Sequence, residues 1–263
     1  MARRVNLIPM AGAGQRFVDA GYPVPKPLID VAGLPMIVRA ARSLPECDLW
    51  IFVCRTEHVA EAHIDQALTG LFQPSVIITV DHLTEGQACT CLLAHGELRP
   101  DDILTIGACD NAMTWDRAAY DQQFTRGQAD FLVWTFRHNP AVLQDPRMYG
   151  WVKTDTEGAA TGVSVKVPIS DMPMNDHAVI GAFTFRRADL FLDACDDMIR
   201  ANARIKNEFY VDNAINFALA RDAKGRPFEV DRYICWGTPR DLETHEYWRG
   251  YFAQVGVGGI QSL

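Results

Sequence analysis

The stretch Val5-Asn6-Leu7-Ile8-Pro9-Met10-Ala11-Gly12-Ala13-Gly14-Gln15-Arg16, with Pro25-Lys26-Pro27-Leu28 close behind it, decides how the chain is read. A short apolar run of strand length ends in two glycines. An arginine follows at once, and a lysine then stands between two prolines. Glycines directly behind a first strand let the backbone approach a phosphate closely. The Walker pattern is absent, because neither glycine has Lys and Ser/Thr at the required offset. The dinucleotide fingerprint G-x-G-x-x-G matches Gly12 and Gly14 but meets Phe17 at its third glycine. Pro23, Pro25 and Pro27 also fall where the following helix and second strand of that motif would run. A plain left-handed turn without a ligand is the bland alternative. A phosphate loop uses every residue: the Gly12–Gly14 amides wrap phosphates, Arg16 offers a fork of donors, and Lys26 is a cation on a stiff segment. Two cations on one loop suit transfer at phosphorus, where catalysis is mostly positioning and charge stabilisation.

Outward from this loop, short apolar runs alternate with helical patterns. Strands are expected at Val5–Met10, Leu49–Cys54, Ser75–Val80 and Ile103–Gly107, with helices at Met36–Ser43, Glu57–Leu68 and Ala88–Glu97. This is the β-α-β rhythm of a parallel sheet covered on both faces. After Thr125 the pattern turns strand-rich: Phe131–Arg137, Trp151–Thr154, Val163–Val167 and Val179–Phe185. Helices follow at Asp189–Ala203 and Val211–Arg221, then a strand at Phe228–Cys235, a helix at Pro239–Phe252 and a loose tail. The expected fold is α/β: a Rossmann-like, mostly parallel sheet with a mixed extension. No linker or repeat divides residues 1–263, which read as one domain with halves at about 1–125 and 126–250 and a tail at 253–263.

Composition narrows the partners. A formal net charge of −8 argues against a broad nucleic-acid footprint, which needs a basic face. It leaves room for a small anionic ligand held by a few local cations. No run approaches the length of a membrane span, and Val5–Ile8 is too short for a signal h-region. The seven cysteines are scattered, and Cys89-x-Cys91 fits neither a zinc knuckle nor a redox pair. A cytoplasmic protein with reduced thiols is the expectation. The histidines show no metal-triad spacing. Asp101-Asp102 and Asp196-Asp197 read as solvated charges or caps, and Phe183, Phe185 and Phe191 as core.

The first motif resembles the G-x-G-x-R…P-K-P-L signature of the sugar-1-phosphate nucleotidylyltransferases, the NDP-sugar pyrophosphorylases. Further stretches resemble that family in the same order. They are Thr84-Glu85-Gly86-Gln87-Ala88, Gly107-Ala108-Cys109-Asp110-Asn111, Tyr149-Gly150-Trp151-Val152, Glu208-Phe209-Tyr210-Val211-Asp212 and Trp236-Gly237-Thr238-Pro239-Arg240-Asp241-Leu242. The resemblance implies a nucleotide-diphospho-sugar transferase (GT-A-like) fold. It implies nucleotide binding by Ala11, Gly12, Ala13, Gly14, Gly86 and Gln87, and catalysis by Arg16, Lys26 and Asp110. It implies Mg²⁺ on Asp110, and substrate contacts from Gly150, Lys166, Glu208 and Tyr210. Two positions depart from the pattern. Val165-Lys166-Val167-Pro168 stands where members often carry Glu-Lys-Pro, and Cys235 or Trp236 where a second metal-binding Asp is frequent. Asp212 is the candidate to replace that Asp.

The implied reaction joins an NTP to a phosphorylated small molecule, a sugar 1-phosphate in the first instance, and releases pyrophosphate. Rival readings are a cytidylyltransferase for a non-sugar phosphate, an NAD(P)-binding oxidoreductase, and a nucleotide-binding relative without turnover. Neither nucleic acid nor membrane is expected as a partner; assembly with identical chains is left open. Gly14→Val is expected to weaken nucleotide binding and to leave thermal stability alone, provided the turn does not require a positive φ.

Overall fold

The computed structural model describes residues 2–125 and 129–255; the last eight residues of the expected tail lie outside them. Nine strands form one sheet. The parallel part consists of β1 (Arg4–Met10), the two-residue pair β2 (Asp30–Val31) and β3 (Leu34–Pro35) being set apart as a small hairpin, then β4 (Leu49–Arg55), β5 (Ser75–Val80) and β6 (Ile103–Ile106). The spatial order is β5-β4-β1-β6, with β1 parallel to both neighbours: Val5 pairs with Leu49 and Arg4 with Ile103. β1 is buried from Val5 to Met10, a mainly apolar run in which Asn6 is satisfied by donating to the Pro45 carbonyl at 2.7 Å. The chain proceeds from β1 out to β5 and then returns to the other side of β1 as β6. The order therefore reverses between β1 and β6, and open α/β sheets bind ligands at the carboxyl ends of strands at such a point.

The second half extends the sheet with antiparallel strands. β7 (Asn111–Thr114) leaves the sheet; β8 (Phe131–Phe136), β9 (Gly150–Thr154), β10 (Ala160–Val165) and β11 (His177–Phe185) return to it. β11 is the hub: one edge pairs with β6 and β9, the other with β8. The expected strand Phe228–Cys235 is two strands. β12 (Gly225–Glu229) lies parallel to β8, while β13 (Arg232–Cys235) pairs antiparallel with β7 in a separate ribbon. Residues 230–231 make the crossing, Val230 N–H bonding to Thr135 and Asp231 N–H to Thr114.

Helices cover both faces: α1 (Gln15–Asp19), α2 (Met36–Arg42), α3 (Thr56–Ala60), α4 (Ile64–Thr69), α5 (Gln87–Leu92), α6 (Arg117–Tyr120), α7 (Ala188–Arg200), α8 (Val211–Leu219) and α9 (Pro239–Gln254). The single helix expected over Glu57–Leu68 is broken into α3 and α4 by His63, whose φ is 51°. The helix expected over Ala88–Glu97 ends at Leu92, with a 3₁₀ turn at His95–Glu97. Because side chains alternate across a strand, Leu7 and Ile8 enter opposite layers. Leu7 joins Phe183, Phe185 and Phe191 beneath α7 and α8; Ile8 joins Phe52, Trp134 and Phe228 beneath α2 and α4. A small third cluster, Phe17, Ile29, Val31, Met36, Ala112, Trp236 and Leu242, sits under the first loop. Asp102 is not solvated as expected. It is buried and held by Arg3 through Nε at 2.9 Å and Nη2 at 2.6 Å, which pins the start of β1 to that of β6.

Candidate active site

Residues 11–14 leave the carboxyl end of β1, and Gly14 caps α1 in the left-handed region at φ 61°. An added Cβ there would also stand 3.2 Å from the Lys26 Cβ. The turn therefore requires glycine at position 14, so the condition set on the earlier expectation fails and Gly14→Val is expected to disturb the fold as well as any ligand. Gly12 differs, since a Cβ there meets no protein atom within 4 Å. Phe17, at the place of the third fingerprint glycine, is buried in the third cluster with Trp236. A large side chain anchors the loop where the dinucleotide motif needs none.

Pro25 and Pro27 hold Lys26 at the start of a 3₁₀ turn, Lys26–Leu28. Its ammonium donates to Asp110 Oδ2 at 2.6 Å and to the Gly237 carbonyl at 3.2 Å, and stands 5.4 Å from the Phe17 ring centroid. Burial alone would lower this lysine's pKa. The Asp110 carboxylate, with a smaller contribution from Cys109, more than reverses that and holds the ammonium above its ordinary value. Asp110 follows β6 and begins the ribbon; its carbonyl accepts from Trp236 N–H at 2.8 Å. The register of β11 shifts between Val179 and Phe183, around Gly181 at φ 80°. Such bulges re-aim backbone beside functional sites. Here Asn111 Nδ2 donates to Ile180 O at 2.8 Å and fastens the Asp110 loop to the bulge.

Two chambers meet at Lys26. The smaller, about 380 Å³, is lined by Ala11, Gly12, Ala13, Gly14, Gly86 and Gln87, all six residues assigned to the nucleotide from sequence, and by Glu208. The larger, about 520 Å³, is lined by Arg16, Asp110, Gly150, Lys166, Tyr210 and Asp212. Lys26 and Gln87 line both. Glu208, grouped from sequence with the substrate residues, thus stands in the wall of the smaller chamber. The second glycine loop is tied to the segment before α8: Phe209 N–H bonds to Glu85 O at 2.8 Å and Ala88 N–H to Phe209 O at 3.0 Å. Gly86, at φ 126°, permits this approach, since a Cβ would come within 2.6 Å of the Phe209 backbone.

In the larger chamber Asp212 packs against Gly150, where a Cβ would lie 2.2 Å from Oδ2. Burial pushes the Asp212 carboxyl up to about 6, against the pull of Lys166. Lys166 donates to Met148 O at 2.9 Å and stands 5.4 Å from the Tyr210 ring centroid. Burial holds its ammonium below the ordinary lysine value, Asp212 opposing and Lys206 and Arg16 adding to the effect. The Arg16 carbonyl accepts from Ala20 N–H at 3.2 Å, but its guanidinium makes no hydrogen bond or ion pair among the described residues and is available to an anion. Among the described residues, no three or more His, Cys, Asp or Glu gather where they could hold a metal ion. The larger chamber carries the carboxylates Asp110, Asp145, Asp212 and Asp241, of which Asp110 and Asp212 are the two assigned to metal from sequence. They suit a hard cation that takes the rest of its shell from phosphate oxygens and water.

Sequence reasoning passed over part of the larger chamber's wall: Gln144, Asp145, Met148 and Tyr233. The local signal is present. Asn139-Pro140 and Asp145-Pro146 open two 3₁₀ turns, Asn139 Oδ1 accepting from Ala141 N–H and Asp145 Oδ1 from Arg147 N–H. It predicts turns but not what they face. Cys235 also lines this chamber. Burial first, then Asp110, push its thiol up to about 12.

No family model matches the chain, and no curated protein is similar to it in sequence. Solved structures are similar in fold. A nucleoside-diphosphate-sugar pyrophosphorylase from Vibrio cholerae RC9 superposes with a TM-score of 0.74 at 20% identity, covering 91% of this chain and 98% of its own. An inositol-1-phosphate CTP transferase from T. maritima gives 0.72 at 13% identity, covering 96% and 97%. The UTP-bound UGPase from Acinetobacter baumannii gives 0.72 at 15% identity, covering 98% and 99%. The chain therefore has the fold of these nucleotidyltransferases over nearly its whole length.

Proposed function

We propose that this chain transfers a nucleotidyl group from an NTP to a phosphorylated small molecule, in the first instance a sugar 1-phosphate, and releases pyrophosphate. The observation that carries this reading is the Lys26 ammonium between two chambers, one floored by glycine backbone and one whose wall sets Arg16, Lys166 and Arg240 beside the carboxylates Asp110 and Asp212. Such a pair of sites suits two anionic substrates that must meet at one phosphorus. The fold shared with a pyrophosphorylase and a CTP transferase supports the same chemistry.

In this reading the triphosphate lies along Gly12–Gly14 with its α-phosphorus near Lys26. The loop amides hold the β- and γ-phosphates, the leaving group, with Arg16 reaching them from the wall of the larger chamber. The acceptor's phosphate enters the larger chamber, where Lys166 and Lys26 offset its charge while Gly150 and Tyr210 bound the rest of the molecule. Its oxygen attacks the α-phosphorus in line; a new P–O bond forms as the α–β bridging bond breaks, and no covalent enzyme intermediate is needed. Lys26 meets the charge that develops between the two phosphates. Asp110, with Asp212, would hold Mg²⁺, whose chemistry when bound is to neutralise phosphate charge. Bringing two anions together is the main catalytic problem, and fixed cations answer it.

The direct test is a matrix of each NTP against a panel of sugar 1-phosphates, inositol 1-phosphate and choline phosphate, with Mg²⁺ and pyrophosphate release as readout. Release that requires both substrates is expected for at least one pair. A protein that binds NADH but releases no pyrophosphate from any pair would overturn the reading.

Gly12 gives the sharper loop prediction. Gly12→Val adds a side chain into open space, so the thermal midpoint should stay where it is. NTP affinity should fall at least ~10-fold, about 1.4 kcal/mol, because phosphate and side chain compete for one place. Isothermal titration of the variant and differential scanning calorimetry check both halves. Unchanged affinity would reduce the loop to a turn.

A further inference from the structure

We infer that Lys26 is the resident cation of Asp110 in the ligand-free protein, and that a divalent ion takes this carboxylate only once phosphate draws the ammonium away. This rests on the nucleotidyl-transfer reading and adds an order of binding to it. The Lys26 Nζ stands 2.6 Å from Asp110 Oδ2, with both side chains largely shielded from solvent, at 17% and 27% exposed. The Gly237 carbonyl and the Phe17 ring complete its surroundings. A second cation on that carboxylate would be repelled by the first. Among the described residues no three His, Cys, Asp or Glu side chains gather at Asp110 to hold a metal ion against that repulsion.

Lys26 also lines the glycine-loop chamber. A polyphosphate there offers the ammonium several anionic oxygens in place of one carboxylate. Movement of Nζ toward them frees Asp110 while supplying the oxygens a hard cation needs. Cation and nucleotide therefore bind with positive coupling, and each raises the affinity for the other by the same factor.

The test measures Mn²⁺ bound to the full chain without nucleotide, by the loss of the free-Mn²⁺ paramagnetic resonance signal. Wild type should bind Mn²⁺ weakly. Lys26→Met, which removes the charge and keeps the contact with Phe17, should bind it at least tenfold more tightly. Lys26→Gln, which can still hydrogen-bond to Asp110, should gain similarly and serves if the Met variant does not fold. Lys26→Arg keeps the charge and should not gain. Adding Asp110→Asn to Lys26→Met should abolish the gain. Equal Mn²⁺ affinity in wild type and both neutral variants, or a gain that survives Asp110→Asn, overturns the inference. Pyrophosphate release is scored separately. Turnover with equal Mn²⁺ affinities sinks this inference alone; the Mn²⁺ gain without any turnover leaves Lys26 as resident cation and sinks the nucleotidyl-transfer reading.

Discussion

Lys26→Ala should lower the turnover rate far more than it raises the Michaelis constant for NTP. The ammonium is placed between the two chambers, where in the proposed reaction charge would grow as the acceptor oxygen approaches phosphorus. Removing a charged hydrogen bond from a partly dry site costs about 2–4 kcal/mol, roughly 30- to 1,000-fold in rate. The fold should survive, because the Asp110 side chain left behind remains 27% exposed and can take water as a partner. Lys26→Arg should rescue poorly, since a planar guanidinium does not fit a place made for a compact ammonium held by two prolines. Arg16→Ala, by contrast, should weaken NTP binding as well, because Arg16 would grip phosphates already in the ground state. Steady-state kinetics of the variants, with circular dichroism to confirm folding, checks these outcomes. A folded Lys26→Ala enzyme within about threefold of wild-type turnover, ~0.6 kcal/mol, would remove this lysine from the mechanism.

Asp110→Asn is expected to cost more than any substitution of the chamber walls. The neutral amide holds a hard cation far more weakly than a carboxylate and cannot balance the charge of Lys26, so two functions are weakened together. A fall of two or more orders of magnitude in turnover is expected, on the scale of removing a fixed electrostatic group from an active site. Chelator should abolish wild-type activity, and Mg²⁺ or Mn²⁺ should restore it. Full turnover in chelator would take Asp110 out of metal binding and leave its bond to Lys26 as its role.

Much of this site was legible because its parts are local. Gly12, Gly14, Arg16 and Lys26 fall within fifteen residues, and strand, turn and stiff proline segment each leave a direct mark. The strands β1 and β4 were legible for a related reason: buried over most of their length, they appear as mainly apolar runs. What stayed hidden is either non-local or conformational. The break at His63 depends on one left-handed residue in an otherwise helical pattern. β12 and β13 appear as one strand because the chain changes sheets without a glycine or proline to announce it. The turn that separates them is fixed by bonds to Thr135 and Thr114, about a hundred residues away. Asp102 looked solvated because its partner, Arg3, lies 99 positions earlier. The need for glycine at position 14 comes from a φ value that composition does not carry. Glu208 was assigned through its neighbours in sequence, but the bonds between Phe209 and the second glycine loop turn it toward the other chamber.

The Gly237 carbonyl that receives Lys26 has a consequence for how the protein is made. It lies 211 residues further along the chain, and Trp236, which closes the cluster over Phe17, stands beside it. A ribosome releases the glycine loop early and this cover late. Until the last tenth or so of the chain is translated, the loop lacks both the Trp236 ring that packs with Phe17 and the carbonyl that receives Lys26, so a chain ending before Trp236 is expected to lose the seat of Lys26 altogether.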